Sequence, residues 1–186
     1  MKNEISNILN LIKNGNNSEA VKEAKKLHIK NPTNLDAIKI LTYTFIQIGN
    51  FEKVIEILNY GYEEMPNKKD YDFFNNMGYA HSQLEHYEKA IKFLQLAIKI
   101  KPNTIQSYVT LADIYQKLKQ YAKAEELINK TLVQAMNNPK GFTIEGNINL
   151  LLLKFENSTS LEKEHEVKYL FNQLLKKNFN ADLFYL

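Results

Sequence analysis

The stretch FFNNMGYAHSQLEHYEKAIKFLQLAIKIKP, residues 73–102, decides how this chain folds, because its landmarks recur on both sides of it. They are Phe74, the pair Met77-Gly78, His81, Ala90, Leu94 and Pro102. Downstream stand Tyr108, Leu111-Ala112, Tyr115, Ala124 and Ile128, with Met136 where a proline would close the unit. Upstream stand Ile38, Leu41, Phe45, Val54, Leu58 and Pro66. Prolines at 32, 66 and 102 lie 34 and 36 residues apart, and Ala20, Val54 and Ala90 precede them at similar intervals. Self-similarity at such a period implies stacked repeats, each a supersecondary unit that cannot bury its apolar face alone.

Within a unit the apolar period is helical. Ile38, Leu41, Phe45 and Ile48 recur at three and four residues and form one stripe; Val54, Ile57, Leu58 and Gly61 form a second. Gly49-Asn50 between them supplies a residue that tolerates positive φ at a helix end. Small side chains at Gly78, Ala80, Ala90, Ala97, Ala112 and Ala124 allow close approach of neighbouring helices. Each proline ends a second helix by pushing its predecessor out of the α region.

The first unit closes in the same way, with GNNSEAVKEAKKLHIKNP at residues 15–32. Its opening helix reads Ile5, Ile8, Leu9 and Ile12, one residue out of register, which implies a first inter-helix loop shorter by one residue. Beyond Pro139 the pattern decays. Phe142, Ile144, Ile148, Leu151, Leu152 and Phe155 still make a stripe, with Gly146 at the small position. Thr159 with Glu162 reads as a capping box for a helix carrying Val167, Leu170, Phe171, Leu174 and Leu175 inward.

These landmarks resemble the tetratricopeptide repeat, whose pattern is an aromatic, a Leu-Gly pair and a tyrosine, then alanine, an aromatic and a closing proline. Phe74 stands for the leading aromatic and His81 for the tyrosine. The expected fold is all-α, a right-handed α-solenoid of stacked antiparallel helical hairpins. Four units are expected over residues 1–138 (about 1–34, 35–68, 71–104 and 105–138), with a divergent capping hairpin over 139–186.

The resemblance implies a non-enzymatic scaffold that takes a peptide or helix of a partner protein on the concave face of the first helices. First-helix residues outside the stacking stripe are then the candidate contacts: Lys39, Tyr43, Asn75, Asn76, Tyr79, Gln106 and Asp113, with Asn3, Ser6, Asn10, Asp36, Asp72 and Val109 beside them. The set is polar and amide-rich, with two tyrosines one repeat apart. Amides pair with an extended backbone, and tyrosine offers rigid apolar area with a polar tip. A carboxylate clamp of the kind found in chaperone adaptors is not expected. Lys39 and Asn76 match it, but Tyr43, Gln106 and Thr110 depart, and the chain has no arginine, its 24 basic residues all being lysine.

Composition agrees. Hydrophobic residues are 44% of the chain and aromatics 11%, enough for a core, while six glycines and four prolines disfavour a turn-rich β fold. With no cysteine there is neither disulfide nor thiolate chemistry. A net charge of +3 argues against a nucleic-acid binder. The N-terminus lacks a signal-like apolar run, and the longest apolar run, residues 148–155, is too short to cross a bilayer, so the expectation is a soluble, cytoplasmic protein with no membrane partner.

His81 and His86, five apart, fall on different faces of a continuous helix; His81 in a tyrosine's place reads as a core residue, His28 as part of a lysine-rich outer face, and His165 as solvent-facing. No metal site, cofactor or catalytic set is expected. Two alternatives to peptide binding are self-assembly as a homodimer through Phe171, Phe179 and Phe184, and a nucleic-acid or anionic-surface contact through Lys22, Lys25, Lys26, Lys30, Lys89, Lys92, Lys99 and Lys101.

Overall fold

The computed structural model describes residues 1–64, 70–137, 149–154, 165, 168–170 and 172. The expectations placed on Pro66, on 139–148 and on Phe155, Thr159, Glu162, Val167, Phe171, Leu174, Leu175, Phe179 and Phe184 lie outside these residues. In chain order the helices are α1 Lys2–Lys13, α2 Asn17–Lys30, α3 Leu35–Gln47, α4 Phe51–Glu64, α5 Tyr71–Gln83, α6 Tyr87–Ile100, α7 Ile105–Lys117 and α8 Tyr121–Asn137. Among the described residues there is no strand. The fold class is all-α, as the periodicity requires.

The chain divides into two compact units, Met1–Ala97 and Ile98–Leu186. In the first, α1 packs on α2, α2 on α3, α3 on α4 and α4 on α5, while the first helices also meet, α1 with α3 and α3 with α5. Its core joins Ile8, Ala24, Leu27, Ile38, Leu41, Phe45, Leu58, Phe73 and Met77. The alanines and the valine that mark the repeats are sealed: Ala20, Val54, Ala90 and Ala124 each have 0% exposure. Gly78 is small for a reason. A Cβ there would lie 2.6 Å from Leu94 Cγ and 3.2 Å from the Leu94 backbone nitrogen.

The second unit packs α7 on α8 around Ile105, Ala112, Ile128, Leu132 and Ala135, completed by Leu150 and Leu151 from the helical residues 149–154. Gln116 Nε2 donates to the Leu153 carbonyl at 2.8 Å, and Lys154 Nζ donates to Asn129 Oδ1 at 2.7 Å. Lys154 is thus buried, which its charge did not announce. Leu152, expected inward, is 55% exposed, because Leu150 and Leu151 occupy the facing positions instead.

The turn inside each hairpin, α1–α2, α3–α4, α5–α6 and α7–α8, closes with the same pair of backbone bonds. The residue at positive φ is Gly15, Gly49, Glu85 or Lys119, with φ of 75°, 72°, 59° and 59°. The amide after it reaches back five residues: Asn16 to Leu11, Asn50 to Phe45, His86 to His81 and Gln120 to Tyr115, at 2.8–3.0 Å. This is the Schellman arrangement, which satisfies two terminal carbonyls and reverses the chain in three residues.

The identical turns correct the reading of the first unit. Asn14–Asn16 is as long as Ile48–Asn50, so no loop is shortened. What differs is the face α1 buries. Ile8 is sealed, Ile5, Leu11 and Ile12 are half-buried, and Leu9 is 43% exposed. Ile48, expected in the α3 stripe, caps that helix and is 40% exposed, since the reversal carries it off the stripe.

The starts of α3 and α5 are capped by side chains. Asn34 Oδ1 accepts from the amides of Asp36 and Ala37 at 3.0 and 3.1 Å, and Asp70 Oδ1 accepts from Phe73 at 3.0 Å. Each satisfies otherwise orphaned amide donors of the first turn.

Candidate functional site

The four left-handed residues give a ruler for equivalent positions. Six residues before each stand Leu9, Tyr43, Tyr79 and Asp113; ten before stand Ile5, Lys39, Asn75 and Val109; thirteen before stand Lys2, Asp36, Asp72 and Gln106. Tyr43 and Tyr79 are therefore the same position of α3 and α5. Leu9 belongs with them, a residue the one-residue slip in reading α1 had hidden.

In the first unit these positions form a mixed surface. Tyr43 is 41% exposed. Tyr79 is half-buried, its ring edge-on to Phe51 of α4 at a centroid distance of 5.8 Å. Lys39 does not project freely. Its Nζ lies 2.5 Å from Asp70 Oδ2 and 2.8 Å from Asp72 Oδ2, linking α3 to the start of α5. Partial burial acts to lower its pKa, but hydrogen bonds and attraction from Asp70 and Asp72 outweigh that and hold it above the ordinary lysine value. Tyr71 Oη donates to Asn75 Oδ1 at 3.3 Å, orienting that amide, while Asn76 is half-buried.

The remaining two candidates belong to the second unit. Gln106 is exposed, and Asp113 Oδ2 pairs with Lys117 one turn later at 3.0 Å. Val109 packs against the second core and offers little surface.

The histidines depart from expectation in two places. His81 is buried as a core residue, 5% exposed, its ring stacked on Phe93 at 5.5 Å with 2° between planes. His86, however, is not on another face: its Nδ1 lies 3.4 Å from His81 Nδ1. The helix period fails because α5 ends at Gln83 and Glu85 reverses the chain. His28 is half-buried, edge-on to Tyr60 at 6.2 Å, rather than on an outer face. Burial pushes its pKa down, as it does for His81, where His86 and Lys89 add to the effect. His165 is exposed.

Among the described residues, no group of three or more metal-ligating side chains gathers, and no helix is long and apolar enough to cross a membrane. On α2, Lys22, Lys26 and Lys30 are matched by Glu19, Glu23 and Glu4 at 3.1, 3.7 and 3.8 Å.

Residues 73–178, more than half of the chain, match the family model described as tetratricopeptide repeat protein 21, fourth ARM domain. The chain belongs to this family. The tetratricopeptide-type architecture is shared with solved structures too distant to show more than the fold. A kinesin light chain tetratricopeptide-like repeat protein from Podosopora anserina superposes with a TM-score of 0.74 at 15% identity, covering 95% of each chain. MamA superposes with a TM-score of 0.64 at 22% identity, covering 91% of this chain and 92% of MamA. In sequence, the tetratricopeptide chain is 26% identical over 129 residues to a BBSome complex member BBS4 homolog of Drosophila melanogaster, covering 63% of this chain and 26% of that protein. It is 31% identical over 67 residues to the uncharacterized protein ycf37 of Pyropia yezoensis, covering 36% of this chain and 38% of that one. The chain spans well under half the length of these relatives.

Proposed function

We propose that this tetratricopeptide chain is a non-enzymatic interaction scaffold whose first-helix surface, centred on Tyr43 and Tyr79, holds a peptide or helix of a partner protein. The observation that carries the reading is the recurrence of a partly exposed tyrosine at one turn-counted position of adjacent first helices, with Asn75 oriented beside them. Lys39 and Asn76 belong to the same proposed contact set of the first unit, and Gln106 and Asp113 are the contacts proposed on the second. Because Lys39 is already paired with Asp70 and Asp72, its role is to order the surface rather than to bind a partner's carboxylate. Similarity to a member of a multi-subunit complex supports a place in an assembly. A cytoplasmic location, and four repeat units over 1–138 followed by a cap over 139–186, are part of the same proposal.

The test is capture of a native partner by the wild-type chain and by Tyr43→Ala/Tyr79→Ala, with helical circular dichroism as the control. Loss of capture with helicity retained is expected; capture that survives the double substitution sinks the reading. Exposed Val133, Leu152 and Tyr169 favour a second reading, self-association through the second unit. Sedimentation at several concentrations decides it, a strict monomer eliminating that alternative.

A further inference from the structure

We propose that His81 and His86 form a two-histidine site for a divalent late transition ion, with Zn²⁺ as the best geometric match, at the turn between α5 and α6. The pairing is built into the backbone. In the Schellman turn the residue after the left-handed position is pinned beside the residue five before it, here by the His86 amide donating to the His81 carbonyl at 2.9 Å. At the same two places the other turns carry Leu11 with Asn16, Phe45 with Asn50, and Tyr115 with Gln120. Only the α5–α6 turn among these four has two imidazoles there.

The side-chain geometry suits a shared ion. The two Nδ1 atoms are 3.4 Å apart. Two ligand nitrogens at about 2.0–2.1 Å from a tetrahedral Zn²⁺ stand roughly 3.3 Å from each other. The ring centroids are 5.6 Å apart and the rings tilted by 53°, so a modest rotation of the exposed His86 brings both lone pairs onto one point. His81 is held by its parallel stack on Phe93, which provides a fixed ligand for the exposed His86 to complete. With two protein ligands the ion keeps solvent in its other positions, so the site is exchangeable rather than structural.

The test is isothermal titration of the folded chain with ZnCl₂ alone at neutral pH, on wild type, His86→Ala, His81→Tyr and His165→Ala. Tyrosine at 81 is the residue of the repeat pattern, so this variant keeps the packing while removing the ligand. One Zn²⁺ per chain is expected, with affinity at least roughly tenfold weaker in both His86→Ala and His81→Tyr. His165→Ala should bind as wild type does, and mild acid should release the ion. Equal affinity in wild type and either paired-site variant, or no binding by wild type at roughly millimolar Zn²⁺, overturns the proposal.

Discussion

At the scale of the residue, several polar atoms placed inside the repeats have local partners, as the Thr44 hydroxyl has in the Ile40 carbonyl at 2.7 Å. Tyr108 is 6% exposed and its hydroxyl donates to the Pro102 carbonyl at 2.8 Å, fastening α7 to the turn before it. Tyr108→Phe leaves that carbonyl without its partner and should cost about 1 kcal/mol, read as a lowered urea midpoint with unchanged slope. The histidines give the molecule a pH dependence. His81 and His28 both have folded pKa values below the ordinary 6.5, so the unfolded chain binds more protons between those values and 6.5. Stability should therefore be full above pH 6.5 and decline as pH falls toward the folded pKa values. His81→Tyr combined with His28→Gln should flatten the melting temperature across that window; an unaltered pH profile would contradict the assignment.

At the scale of the element, the turns and close contacts set the energetics. Glu85 and Lys119 occupy the left-handed region that glycine fills in the two earlier turns. Glu85→Gly and Lys119→Gly should each stabilise the chain by roughly 1 kcal/mol, and Gly49→Ala should destabilise it by a similar amount, measured by thermal melts. Gly78→Ala should cost about 1–3 kcal/mol, because the Leu94 side chain it would strike has 0% exposure and no room to retreat. These elements were largely legible in sequence. Alternating stripes fixed helix type, and the spacing of Ala20, Val54, Ala90 and Ala124 fixed which faces are sealed. The surface was half legible. Tyr43, Tyr79 and the amides could be placed by counting, but Leu9 could not, since α1 carries apolar residues on two faces and its register was ambiguous. The His81–His86 contact was missed because a helical period was carried past the end of α5. The burial of Lys154 depends on Asn129, a partner 25 residues away that no local pattern reveals.

At the scale of the whole molecule, each compact unit builds its own core from neighbouring helices, and polar first-helix positions are what the packing leaves over. The lysines of α2 do not offset this picture, since three of them are matched by Glu19, Glu23 and Glu4. Retention on an immobilised polyanion should therefore be lost by physiological salt; retention well above it would favour a counterion-release binder. The most direct test of the first-helix scaffold is hydrogen–deuterium exchange of the chain with and without its captured partner. Protection of residues 36–43 and 72–79, with the outer faces of α2 and α4 unchanged, is the expected result. Protection confined to α2 and α4, with α3 and α5 exchanging as in the free chain, would contradict it.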